Sequence, residues 1–63
     1  MNIYKRTHEG VETFVMELPD HPESDETSIW CLIAFKRDDG KWSHKLGSRH
    51  LVPRSELVLV DEI

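Results

Sequence analysis

The residues best suited to binding lie in the middle of this 63-residue chain. Residues 36–54 hold six Lys or Arg side chains against two carboxylates, although the whole chain has a net charge of −4. Trp42, His44 and His50 lie between these cations. Cations around an aromatic ring on a sheet can contact phosphates and stack a base. For a protein partner the pattern predicts contacts from Lys41, Trp42, Lys45 and Arg49, and for nucleic acid the same residues with Arg37 and Arg54.

Metal binding and catalysis find less support in the sequence. Zinc ligands usually come in pairs such as His-x₃₋₅-His, but His44 and His50 are six positions apart. Cys31 lies inside an apolar run, where a thiol is expected to be buried and inert. The three glycines are scattered and cannot form a phosphate-binding loop. We therefore expect no catalytic residue, no metal, no cofactor and no small-molecule substrate.

A second charged segment precedes the basic one. Five of the ten residues from 17 to 26 are acidic, and two prolines interrupt them. The segment 19–27 is predicted to be a loop, because proline withholds a backbone donor and fixes φ. Its charge suits a basic protein partner, and the alternative is a solvated loop without a partner.

The element that must position the basic residues is the apolar run Ile29-Trp30-Cys31-Leu32-Ile33-Ala34-Phe35. Its β-branched and aromatic content, followed by Asp39-Gly40, predicts a central strand over 28–37 that enters a hairpin. Because a strand with one wet face would alternate, both faces are expected to be covered, by the curled sheet or by a partner. The alternative is a helix capped by Ser28, which would have no polar face.

The rest of the chain also favours strands. Strands are predicted over 3–6, 11–18, 41–46, 50–52 and 57–60, with a break at Gly47-Ser48 and a 3₁₀ turn over 53–56. In 11–18, Phe14, Met16 and Leu18 are expected to share the buried face. Leu57 to Val60 is apolar on both faces, which favours a homodimer or pairing with a partner strand.

The C-terminal segment from residue 49 resembles the end of an SH3-like barrel: a strand over 49–52, a one-turn helix over 53–56 and a final strand over 57–60. The resemblance implies a single all-β domain over residues 1–63, a five-stranded SH3-like barrel or sandwich. Such barrels serve as peptide binders, nucleic-acid binders and subunits of assemblies, so the resemblance implies no single function.

Composition narrows the class of protein. With one cysteine no internal disulfide can form, no secretory signal is visible, and the apolar run is too short to span a membrane. We expect a cytoplasmic, non-catalytic accessory module that acts through protein contacts, of bacterial or phage origin. The alternative is a nucleic-acid-binding barrel.

Overall fold

The computed structural model describes residues 1–19, 21 and 24–63, which form β-strands and one 3₁₀ turn. The predicted all-β class is confirmed, as is strand rather than helix over the apolar run. The elements are β1 (Asn2–His8), β2 (Val11–Glu17), β3 (Ser28–Lys36), β4 (Trp42–His44), β5 (His50–Pro53), the 3₁₀ turn η1 (Arg54–Glu56) and β6 (Leu57–Glu62).

The strands form one antiparallel sheet in the order β4-β3-β2-β1-β6, with β5 also paired to β3. β4 and β5 lie along the same side of β3, since Lys36 pairs with Trp42 and Ser28 with Pro53. Between β4 and β5, a side chain replaces the backbone as hydrogen-bond acceptor for β3: Ser48 Oγ accepts the Ile33 N–H at 2.8 Å. The predicted break at Gly47-Ser48 is confirmed. It separates β4 from β5, so the described residues contain six strands, whereas the predicted barrel or sandwich has five.

Two tight turns set the registers of the hairpins. Gly40 has φ of +82°, and its N–H donates to Arg37 O at 3.0 Å, which confirms the predicted Asp39-Gly40 turn. In the β1–β2 hairpin, both residues between His8 and Val11 have positive φ: Glu9 at +51° and Gly10 at +76°. This is the sign pattern of a type I′ turn, which suits the twist of paired strands.

The core consists of two small clusters on opposite faces of the sheet. Val15, Ile29, Cys31 and Val52 form one cluster, against which Tyr4 and Leu57 pack. Ile3, Met16 and Ala34 form the other cluster, against which Trp42 packs.

Because neighbours along a strand alternate between faces, Val15 and Met16 enter different clusters. The expectation that Phe14, and not Val15, is buried is wrong: Phe14 is 42% exposed and Val15 is fully buried. Each face of the sheet is covered at a different end. Residues on both faces of β2 are therefore buried along part of the strand.

Cover on both faces of β3 is likewise incomplete. Ile29 and Cys31 are buried on one face and Ala34 on the other, but Ile33 and Phe35 are 40% and 48% exposed. Of the two predicted sources of cover, the curled sheet does not reach these two residues, and cover by a partner stays a prediction. They share a face with Ile29 and Cys31, so this face is covered only over the first half of β3.

The sheet curls enough for its outer strands to meet. Trp42 in β4 donates its Nε1–H to the Asp61 carboxylate in β6 at 2.8 Å. Met1 and Ile63 exchange backbone hydrogen bonds at the ends of β1 and β6. No helix in the described ranges has the length and hydropathy needed to cross a membrane.

Candidate functional site

The β3–β4 hairpin brings three of the predicted contact residues together. Phe35 pairs with Ser43, Lys45 donates its N–H to Ile33 O at 2.8 Å, and Arg37 donates its N–H to Lys41 O at 2.8 Å. This register places alternate residues of both strands on one face of the sheet. We call these residues the β3–β4 patch: Ile33, Phe35, Arg37, Lys41 and Lys45.

The centre of the β3–β4 patch is apolar and its surroundings are cationic. Ile33 and Phe35 belong to an interior strand, yet each exposes 40% or more of its surface. The three cations are also exposed. An exposed apolar area with a polar border is typical of an interaction site.

The hairpin loop adds two carboxylates to this border. Asp39 accepts the Lys41 N–H at 2.9 Å and forms an exposed ion pair with Arg37 at 3.4 Å. Asp38 is exposed beside it. An open depression of about 510 Å³, lined by residues 35–39, lies at this end of the patch. The border is therefore cationic along β4 and mixed in charge at the loop.

Trp42 lies on the opposite face from the patch and is already engaged within the chain. Its ring is half-buried, meets Phe14 edge-on with centroids 5.2 Å apart, and has Lys36 Nζ 5.5 Å from its centroid. The hydrogen bond from Trp42, helped by the Glu62 N–H and the nearby Lys36, lowers the pKa of Asp61. This contact closes the sheet and leaves Trp42 outside the patch.

Arg49 also lies away from the patch, beside the second tryptophan. Its guanidinium is 5.5 Å from the Trp30 ring centroid, and the His21 ring stacks on the same indole at 4.7 Å. Trp30 Nε1 is buried and has no hydrogen-bond partner among the residues that the structure describes. Sequence reasoning treated Trp30 only as core, whereas the structure makes it the centre of an aromatic and cationic stack.

Arg54 is at the far end of β3 from the hairpin loop. Pro53 pairs with Ser28 and Trp42 with Lys36, positions separated by roughly 27 Å along an extended strand. Arg54 Nε donates to Asp25 O at 2.9 Å and so fastens the acidic loop. The Asp25 carboxylate accepts N–H bonds from Thr27 and Ser28, and the Thr27 bonds in particular lower its pKa. Asp20, Pro22 and Glu23 of the predicted acidic surface lie outside the described residues.

The side chains that could take part in chemistry are buried or make contacts that join elements of the fold. Cys31 is fully buried, and burial raises the pKa of its thiol to about 11. His8 Nδ1 donates to Glu56 Oε2 at 2.5 Å, and Arg6 contacts the other oxygen at 3.1 Å. These two contacts join β1 to η1. Within the described ranges, no three His, Cys, Asp or Glu side chains are grouped so as to hold a metal ion.

Ile33 and Phe35 are the site residues that sequence reasoning missed. The signal was present: a three-residue loop closed by Gly40 pairs Arg37 with Lys41, and counting back places Phe35 and Ile33 on the face of Lys41 and Lys45. No family model, curated protein or solved structure matches the chain. The SH3-like resemblance therefore stays a prediction.

Proposed function

We propose that this chain is a non-catalytic interaction module whose β3–β4 patch binds a protein partner that is both apolar and acidic. The observation that supports this function is the exposure of Ile33 and Phe35 on an interior strand beside Lys41 and Lys45. A lone buried thiol agrees with a cytoplasmic location.

The apolar centre is large enough to contribute measurable affinity. An aromatic side chain buries about 150–250 Å² when fully covered. With 48% of Phe35 exposed, about 70–120 Å² is left for a partner to cover, which corresponds to about 2–3 kcal/mol. Loss of that contact would weaken binding about 30- to 150-fold.

The border favours an acidic partner with specific geometry. Within the described residues, the side chains of Lys41 and Lys45 make no ion pair, so both charges are available. Arg37 already forms an ion pair with Asp39, which reduces the attraction of its guanidinium for the carboxylate of a partner. Complementary charges at the edge of an interface mainly accelerate association and fix orientation.

A nucleic-acid strand is the second candidate, supported by the exposed Phe35 ring. An aromatic ring on an open sheet with neighbouring lysines can stack a base and contact phosphates. Two features weigh against it: Asp38 and Asp39 border the same area, and the chain has a net charge of −4. A phosphate backbone would meet repulsion at the loop, whereas a folded protein can place a cation there.

A displayed library of random peptides, panned against the purified protein, tests the proposal without knowledge of the partner. We expect enrichment of segments that combine Asp or Glu with large apolar residues. Phe35→Ser should weaken these ligands about 30-fold or more. Leu51→Ser is the matched control, because Leu51 is 47% exposed but lies on the other face. Equal losses in both variants would contradict the site.

Oligonucleotides form the second arm of the experiment. Tight binding of single strands that weakens steeply with salt and is lost in Lys41→Glu/Lys45→Glu would favour the nucleic-acid function. Absence of both peptide enrichment and oligonucleotide binding would refute the patch as a binding site.

A further inference from the structure

We infer that two copies of this chain associate through β6, which pairs antiparallel with β6 of the second copy around a two-fold axis. The inference concerns a different surface from the β3–β4 patch and is independent of the proposed function. Among the described residues, β6 forms one end of the strand order and pairs with β1 only.

Within the described residues, the outer edge of β6 offers the backbone N–H and C=O of Leu59 for pairing, because the neighbouring N–H groups are already hydrogen-bonded. Ile63 N–H donates to Met1 O and so points toward β1, while Glu62 N–H donates to the Asp61 side chain. Leu57 N–H donates to Arg54 O, and so it also points away from β1. Alternation then directs the N–H and C=O of Leu59 outward, where no strand of the described residues pairs.

The side chains along this edge are apolar and exposed. Val58, Leu59 and Val60 are 61%, 49% and 45% exposed, and Met1 and Ile63 at the end of the strand are 50% and 56% exposed. Over Leu57 to Val60 the strand contains no charged residue and no proline, and the features that can protect an edge, Asp61, Glu62 and a register shift against β1, lie toward its end. An exposed apolar edge of this kind is a template for another strand.

The opposite edge of the sheet is protected, which identifies β6 itself as the partner strand. β4 and β5 are three and four residues long and are separated by a break, and β5 ends in Pro53. Lys41 and Lys45 flank β4. A head-to-tail contact between β6 of one copy and this edge of another copy would be hindered by the short strands, the proline and the lysines. It would also leave an unpaired edge at each end of the assembly. Pairing of β6 with β6 closes after two copies.

Charge selects the antiparallel direction. Asp61 and Glu62 lie at one end of β6, while Leu57 and Val58 at the other end pair with Arg6 and Lys5 of β1. A parallel pair would place the acidic ends of both copies side by side, which is destabilising. An antiparallel pair separates them and brings each acidic end toward the Lys5 and Arg6 side of the other copy.

Light scattering and sedimentation over a concentration series, from low micromolar to millimolar, test the inference. We expect the mass to rise from 7.4 kDa toward about twice that value. Val58→Lys should lower the association constant at least about tenfold. Val11→Lys is the matched control, because Val11 is 62% exposed on interior strand β2. A monomer at millimolar concentration, or equal losses in both variants, would overturn the inference.

A chemically synthesised chain with an N-methyl group on Leu59 separates edge pairing from stacking of sheet faces. The methyl group removes the outward N–H donor and keeps every side chain. Loss of the dimer supports β6–β6 pairing. A dimer that survives N-methylation but not Val58→Lys would show association through a face and would overturn it. Growth beyond two copies would show an open contact and would also overturn it.

Discussion

The separation of the core into two clusters can be tested by double-mutant cycles. Ile29 and Val52 pair directly and share the cluster that contains Cys31, whereas Ile3 belongs to the other cluster. Ile→Val usually costs about 0.5–1.5 kcal/mol, and Val→Ala about 2 kcal/mol when the cavity stays open. A 63-residue domain is expected to have a total stability of about 3–9 kcal/mol, so these changes are large but measurable.

We expect the pair Ile29→Val and Val52→Ala to be coupled by about 0.5 kcal/mol or more, because the two residues are register partners and belong to one buried cluster. The pair Ile3→Val and Val52→Ala should add to within about 0.3–0.5 kcal/mol. Urea unfolding followed by tryptophan fluorescence gives the free energy of unfolding of each variant. A constant concentration of sulfate is added to stabilise the folded state, so that each variant has a folded baseline.

The result that would refute two clusters is equal coupling in both cycles. It would mean that the sheet closes around one continuous core, as in a regular barrel. Unequal slopes of the unfolding free energy against urea would invalidate the comparison, so the slope of each variant serves as its internal control.

Three further outcomes are expected. The hydrogen bond from His8, with Arg6, lowers the pKa of Glu56 below its usual 4.5, so this carboxylate stabilises the fold above pH 4.5 and the effect is lost as pH falls through the lowered value. Glu56→Gln should therefore flatten the dependence of unfolding free energy on pH in this acidic range. Glu9→Asn should stabilise the chain by about 0.5–1 kcal/mol in thermal unfolding, because asparagine suits a positive φ in a type I′ turn. Cys31 should react with thiol reagents at mild alkaline pH only at the rate of opening, because its thiol is buried with a pKa of about 11. Fast labelling of the folded chain would contradict that burial.

Elements that depend on local chemistry were predictable from the sequence. Gly40 and Gly47 adopt positive φ where a turn and a break were expected, and the 3₁₀ turn follows Pro53. β3 follows from its run of β-branched and aromatic residues. Each of these depends on a few neighbouring residues, whose conformational preferences are visible in the sequence.

Burial depends on the curl of the whole sheet and was not predictable in the same way. Alternation showed that Val15 and Met16 face opposite ways, but not that each face is covered at a different end. For the same reason, Trp42 was predicted to be a contact residue, whereas its indole N–H is hydrogen-bonded to Asp61, nineteen positions away in another strand. The β3–β4 register, by contrast, follows from the Asp39-Gly40 turn and would have been enough to place Phe35 on the face of Lys41 and Lys45, although sequence reasoning missed it.

The pairing of β1 with β6 has a consequence for the order of folding. It joins residues 51 to 60 positions apart, whereas the β1–β2 and β3–β4 hairpins close across a few residues. Closing the longer loop costs about 2 kcal/mol more in chain entropy, so β6 is expected to join after the hairpins have formed. Until then the vacant side of β1 accepts β6 from its own chain or from another copy. If β6 joins late in this way, we expect the amount of strand-exchanged dimer to rise with the protein concentration during refolding.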